Sequence, residues 1–184
     1  MSVSAAPQKL KARTKWLYGI GDIGNALVNS SLQFFLMKFY TDAALILPVL
    51  AGNALLVGKI WDAINDPLFG WLTDRTNSKI GKRRVFMLFG AIPLALSVAL
   101  LWFVPPGLSQ VMTFVWIAGT FIFFDSVWTL TNVPYYALTS ELTDDYDERS
   151  SLTVYRMVLA TPAYLIGAAL TPMIVGFFAV QRTG

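Results

Sequence analysis

The sequence predicts an all-α integral membrane protein with five transmembrane helices, and three observations carry that reading. Of its 184 residues, 55% are hydrophobic and 14% are charged, against about 25% charged in ordinary soluble domains. The apolar residues gather into five runs, at 16–40, 47–72, 85–104, 111–138 and 152–180. Each reaches the length of about 20 residues that a helix needs to cross a bilayer. None shows the alternating ten-residue segments of a closed barrel, the other structure that satisfies its backbone in lipid. The chain contains no cysteine and no histidine. Disulfides, thiol catalysis, Cys/His metal sites and a histidine proton switch are therefore excluded.

The first element is a basic tail, residues 1–15, with Lys9, Lys11, Arg13 and Lys15. The second connection is also basic, with Arg75, Lys79, Lys82, Arg83 and Arg84, while 41–46 and 105–110 contain no Lys or Arg. The positive-inside rule then predicts a cytoplasmic amino terminus in the cell (inner or plasma) membrane. Five spans leave 181–184 as an external tail. No cleavable signal is expected, because the first apolar run exceeds a signal core and no small-residue cleavage site follows it.

In the first span Asp22, Asn25, Asn29 and Gln33 fall at steps of three, four and four, so they line one side of a helix. Interhelical hydrogen bonding is an alternative use for Asn29 and Gln33. Asp22 is an intramembrane acid and by default a functional candidate.

The second span holds Lys59, Asp62 and Asp66 at spacings of three and four, on one face. Its Leu, Ile, Val and Phe residues favour insertion by roughly 3 to 7 kcal/mol. Three central charges oppose it by roughly 8 to 10 kcal/mol, so this helix needs neighbours that answer its charges. If it leaves the hydrocarbon near Leu72, Asp66 lies about 9 Å in and Asp62 about 15 Å in, half-way through a core about 30 Å thick. Pro67 frees the carbonyl of Ala63 beside the two acids. Two carboxylates and a free carbonyl suit a hard cation, or a proton on one acid. The alternative is a Lys–Asp bridge that only pins helices together.

The connection that follows reads Gly70, Asp74, Arg75 and, after Gly81, a basic run through Arg83. Topology explains most of the positive charge. Asp74-Arg75 close to Gly70 suits a charged latch that forms in one conformation and breaks in another. The third span, 85–104, carries no charge.

The fourth span sets Asp125, Thr129, Asn132 and Tyr136 on one face, with Trp128 beside them. Aromatic rings with polar groups suit a sugar, whose C–H surface packs on rings while amides and carboxylates take its hydroxyls. An interfacial belt or plain packing is the alternative for Trp128 and Tyr136. In the fifth span, Arg156 either snorkels to the surface or pairs with the surplus acids. Thr161-Pro162 and Thr171-Pro172 predict two kinks.

Three stretches, WDAINDPLFGWLTDRTNSKIGKRR, TNVPYYAL and DERSSLTVYR, resemble the glycoside–pentoside–hexuronide:cation symporters, the melibiose-permease-like branch of the major facilitator superfamily. Gly70, Asp74 and Arg75 resemble that superfamily's G-x-x-x-D-R signature. The resemblance runs from about Thr14 and implies a twelve-helix carrier of two six-helix halves. It implies that Asp62 and Asp66 serve the coupling cation, Na+ or H+, that Thr129 assists, and that Arg156 contacts the sugar. Lys59 matches a basic residue one turn before the first acid. Three departures stand out. Asn132 replaces an acid, Tyr136 replaces a tryptophan, and Asn25-Ala26 replaces a Lys-Asp pair for which Asp22 could substitute.

The expected function is cation-coupled sugar symport. The cation set is Asp62, Asp66, Thr129 and Asn132. The sugar set is Asp22, Asn25, Lys59, Trp128, Asn132, Tyr136 and Arg156. Gly70, Asp74, Arg75 and Arg83 form the latch. No cofactor, no metal beyond Na+ and no nucleic-acid partner are expected. The chain stops after five spans, which reads as a truncated amino-terminal part lacking the carboxyl-terminal half that would complete the cavity. Self-assembly of the fragment, a non-transporting membrane subunit and a cation-coupled lysolipid carrier are the alternatives. An enzyme is the weakest reading, since no nucleophile or oxyanion arrangement accompanies the acids.

Overall fold

A backbone that meets no water must bond to itself, and here it does so in helices. The computed structural model describes residues 9–183 apart from Asn77, Lys79, Ile80 and Lys82, with side chains as far as Met173. Lys79 and Lys82 of the basic connection, and Gly184 of the tail, lie outside the described residues. Among the described residues every regular element is helical. In order they are α1 (Ala12–Ser31), a π-helical segment (Leu32–Leu36), α2 (Met37–Asp42), α3 (Pro48–Arg75), α4 (Arg84–Leu101), α5 (Gln110–Leu142) and α6 (Tyr146–Thr183). By length and composition α4, α5 and α6, the last as far as Met173, can each cross a membrane. The charges expected to need answering sit on α1 and α3.

Local chemistry sets the ends. Pro48 opens α3 from its first turn, where its missing N–H costs nothing. α4 stops at Leu101, short of the expected 104, because Val104 precedes Pro105 and a residue before proline is pushed out of the helical region. α6 starts at Tyr146, earlier than the expected 152. Asp145 Oδ1 accepts the backbone N–H groups of Asp147 and Glu148 at 2.8 and 3.1 Å, a side-chain cap on a helix start. The turn before α3 contains Leu45 at φ 54, an uncommon conformation for leucine. Gln110 clamps it, accepting from Leu47 N–H at 3.0 Å and donating to Leu45 O at 2.9 Å.

The chain divides into two compact units, Phe35–Leu138 and the residues on either side of it. In the flanking unit α1 and α6 run parallel. Trp16 packs edge-on against Tyr155 with ring centroids 5.0 Å apart, and further along Thr171 Oγ1 donates to Ser31 Oγ at 3.2 Å. Small residues let the two backbones approach, as is usual between membrane helices. A Cβ on Gly167 would stand 2.2 Å from Ser30 Oγ and 3.0 Å from Leu27 O.

In the Phe35–Leu138 unit α3 and α5 also run parallel, and α4 runs against α5. A Cβ on Gly58 would fall 2.1 Å from the Phe121 ring, and one on Gly90 would fall 2.2 Å from Thr131 Cγ2. Alternate threading of a bilayer makes spans two apart or four apart parallel. The second and fourth are so within one unit, and the first and fifth within the other.

Gly167→Ile is expected to destabilise the α1–α6 pair by about 1–3 kcal/mol, the usual cost of overpacking. A lower unfolding midpoint in detergent, followed by circular dichroism, checks it. Gly119 has open space around the same position. Gly119→Ala is expected to leave the midpoint unchanged or raise it slightly, since glycine inside a helix is itself unfavourable.

Candidate functional site

Within the Phe35–Leu138 unit a ladder of polar contacts joins α3 to α5. Trp61 Nε1 donates to Ser126 Oγ at 2.8 Å, Asn65 Nδ2 to Asp125 Oδ2 at 3.1 Å, and Thr129 Oγ1 to Asp66 Oδ1 at 3.0 Å. The parallel course of the helices brings these rungs into step. The structure thus brings together Asp66 and Thr129 of the predicted cation set. Asp62 instead meets Lys59 on its own helix at 3.1 Å. That bridge is intrahelical, three residues apart, so it pins no two helices together. Asn132 is buried and donates to Trp128 O at 3.1 Å, a bond back to its own helix.

Burial differs from residue to residue where α3 meets α5. Asn65 is 0% exposed and Thr129 3%, whereas Asp66 is exposed and Asp62 half-buried. The oxygen atoms on offer are carboxylate, amide and hydroxyl, all hard donors suited to Na+ or another hard cation. Four members of this ladder, Trp61, Asn65, Asp125 and Ser126, are absent from the predicted cation set. Asp125 was placed on the sugar face instead. Asn65 was not singled out, though it stands three residues from Asp62 and shares its side of the helix.

The aromatic candidates of this unit have ring neighbours. Trp128 lies 5.4 Å from Phe124, and Tyr136 lies 5.4 Å from Tyr135. Two of the four predicted latch residues pair with each other. Asp74 pairs with Arg83 at 3.7 Å, and Arg83 also donates to Ala137 O near the end of α5. Arg75 lies 4.3 Å over the Trp71 ring, a cation–π contact one turn back along α3. Gly70 has open space at its Cβ position, and its carbonyl accepts from Thr73 Oγ1 at 3.0 Å.

In the flanking unit Arg156 Nε donates to Asp22 Oδ2 at 2.6 Å, with side chains 20% and 9% exposed. Asn25 Nδ2 approaches Asp22 Oδ1 at 3.5 Å, and the Arg156 guanidinium lies 5.7 Å from the Tyr18 ring. Of the two uses open to Arg156, pairing with an acid is the one observed. An open cleft of 310 Å³, lined by Ala26, Ala160, Thr161 and Tyr164, occupies the same pair of helices. Gln33 accepts from the Tyr164 hydroxyl. The π-helical segment that begins at Leu32 turns Gln33 off the regular spacing of Asp22, Asn25 and Asn29.

The sequence profile of the MFS/sugar transport protein family matches residues 17–184. The chain belongs to that family. It is 41% identical over 181 residues to an uncharacterized symporter of Synechocystis sp., covering 95% of this chain and 32% of the relative. It is 36% identical over 157 residues to Escherichia coli YagG, whose name describes a glycoside/cation symporter, covering 85% of this chain and 34% of YagG. It is 32% identical over 169 residues to the sodium-dependent lysophosphatidylcholine symporter 1 of Xenopus tropicalis, covering 91% and 32%. The chain spans about a third of the length of the curated relatives it matches. Its fold is that of an all-α, multi-pass membrane protein, corresponding to the amino-terminal part of a major facilitator. The family is one of transporters, not of enzymes.

Removing one partner of a buried ion pair strands the other. Asp22→Ala is therefore expected to cost about 3 kcal/mol in detergent unfolding. Adding Arg156→Ala should return part of that loss. A double variant as unstable as the sum of the two singles would show that the two residues act independently.

Proposed function

We propose that the chain is the amino-terminal part of a cation-coupled symporter whose cargo is a sugar. The observation that carries the cation half is the α3–α5 ladder, in which an intramembrane acid, Asp66, takes a hydrogen bond from Thr129 at 3.0 Å. A cation at Asp62 and Asp66 lowers the local negative charge, with Lys59 already screening Asp62. Asn132 is the neutral member of this set. In the flanking unit the cargo-reading group is Asp22, Asn25 and Arg156, whose carboxylate, amide and guanidinium match sugar hydroxyls. In the other unit Trp128 and Tyr136 supply ring faces. Asp74 and Arg83 hold the connection between α3 and α4 as a latch whose breaking accompanies the conformational switch. The activity requires the further length that the relatives have, and the chain sits in the cell membrane with its amino terminus cytoplasmic.

A lysolipid is the second reading of the cargo, favoured by the 32% identity to the Xenopus symporter named for lysophosphatidylcholine. The two are separated by uptake into cells expressing the complete reading frame that contains this segment. The sugar reading expects Na+- or H+-stimulated entry of a radiolabelled glycoside and none of lysophosphatidylcholine.

Asp62→Asn and Asp66→Asn are each expected to abolish the stimulation by cation while leaving the protein in the membrane fraction. Unchanged coupling in both variants would defeat the cation assignment. For topology, the natural absence of cysteine makes single-cysteine labelling direct. Lys11→Cys should react with an impermeant maleimide only after the cells are opened, and Ser109→Cys in intact cells.

A further inference from the structure

α1 and α6 set an apolar cleft beside a polar group. Ala26 stands four residues after Asp22, and Ala160 four residues after Arg156. On each helix the alanine therefore shares the face of the charged residue, one turn or about 6 Å further along. The two helices run parallel, so both steps lead the same way. They lead from the Asp22–Arg156 pair to the 310 Å³ cleft lined by Ala26, Ala160, Thr161 and Tyr164. We infer that this cleft receives the apolar aglycone of a glycoside whose sugar ring is read by Asp22, Asn25 and Arg156, and that Ala26 and Ala160 make the chain select aryl glycosides over their methyl counterparts. The inference rests on the sugar reading above and narrows its cargo.

The family resemblance places an acid where this chain has Ala26. An acid there would claim a hydroxyl of the cargo, whereas alanine leaves a buried methyl group and space in front of it. Ala160 adds a second methyl group from α6, and the Tyr164 hydroxyl already donates to Gln33. A sugar ring lodged among these groups would leave hydroxyls unanswered, which is costly. A phenyl group leaves none.

The Tyr164 ring is a wall set in advance. Its hydroxyl is tied to Gln33, and Phe34 packs against it at a centroid distance of 5.9 Å and an interplanar angle of 66°. Gln33 and Phe34 both lie in the π-helical segment of Leu32–Leu36, and such segments recur at functional sites. A ring fixed before the cargo arrives loses little freedom on binding, and it offers another ring a stacking or edge-on partner. Size points the same way. Ligand sites for whole small molecules span about 300 to 1,000 Å³, so 310 Å³ holds part of a cargo. The lining covers Ala160 to Tyr164 of α6, about 6 Å of helix, whereas one leaflet of the membrane core is about 15 Å deep. A lysolipid tail would overrun the cleft, and a phenyl group fits within it.

The test is uptake of radiolabelled methyl and phenyl glycosides, each as the glucoside and the galactoside, by cells expressing the complete reading frame that contains this segment. For the hexose that enters, the phenyl form is expected to exceed the methyl form about tenfold or more in initial rate at low concentration. Ala26→Leu fills the cleft from α1 and should cut that phenyl-to-methyl ratio about tenfold. Ala160→Leu should do so from α6, and it serves where Ala26→Leu fails to reach the membrane. A parent ratio near one, or a ratio unmoved in the variants, would overturn the inference while the sugar reading stands. So would an equal loss of both glycosides in the variants, the result expected if another part of the carrier fills the cleft. The parent ratio decides the matter even if neither variant folds. Entry of neither glycoside of either hexose would overturn both the inference and the sugar reading.

Discussion

A polar group inside a bilayer has no water to fall back on, so its partner must be built into the protein. In the Phe35–Leu138 unit three such partnerships lie along one seam. α3 brings Trp61, Asn65 and Asp66, and α5 brings Ser126, Asp125 and Thr129, each opposite its partner. The helices must be parallel and in register for all three contacts to form together. Gly58 allows the approach by leaving room for the Phe121 ring. The same seam presents an acid and a hydroxyl at its end, so the packing that holds the unit together also shapes the oxygen atoms that a cation would meet.

The flanking unit solves a related problem with one strong pair. Asp22 on α1 would be a stranded charge without Arg156 on α6, and the pair takes both side chains largely out of solvent. Nearer the start of the same helices a second pair, Lys15 with Glu148 at 2.8 Å, is reinforced by Ser151, which Lys15 reaches at 2.9 Å. Between and beyond these ion pairs the seam combines ring contacts, such as Trp16 on Tyr155, with small residues such as Gly19, Ser30 and Gly167. Charge fixes which helix faces which, and glycine, alanine and serine fix how close they come.

Much of this was legible before any coordinates. Hydropathy runs locate the helices because a 20-residue apolar stretch has few other uses, and the stripe of Lys59, Asp62 and Asp66 is visible from helical spacing alone. The ends were less legible. The start of α6 depends on a cap at Asp145, and the stop of α4 on Pro105, both outside the apolar runs. Partner choice was the hardest to read. Spacing puts Asp62 and Asp66 on one side, but it cannot tell that Asp66 meets Thr129 on another helix while Asp62 turns back to Lys59. The Gln33 position depended on regular α-spacing, and the π-helical segment from Leu32 breaks that assumption. Asn65 carries no charge to mark it in the sequence between the two acids, although it is the most deeply buried of the three.

The contact between α1 and α6 carries a mechanical consequence. With Gly167 lodged against Ser30 and the Leu27 carbonyl, and Gly19 against Leu159 and Tyr155, the two surfaces interlock rather than glide. A displacement smaller than one residue's rise drives a side chain into a backbone. Continuous sliding is closed to such a pair, and the remaining motions are travel as a single rigid body or a jump of a whole turn.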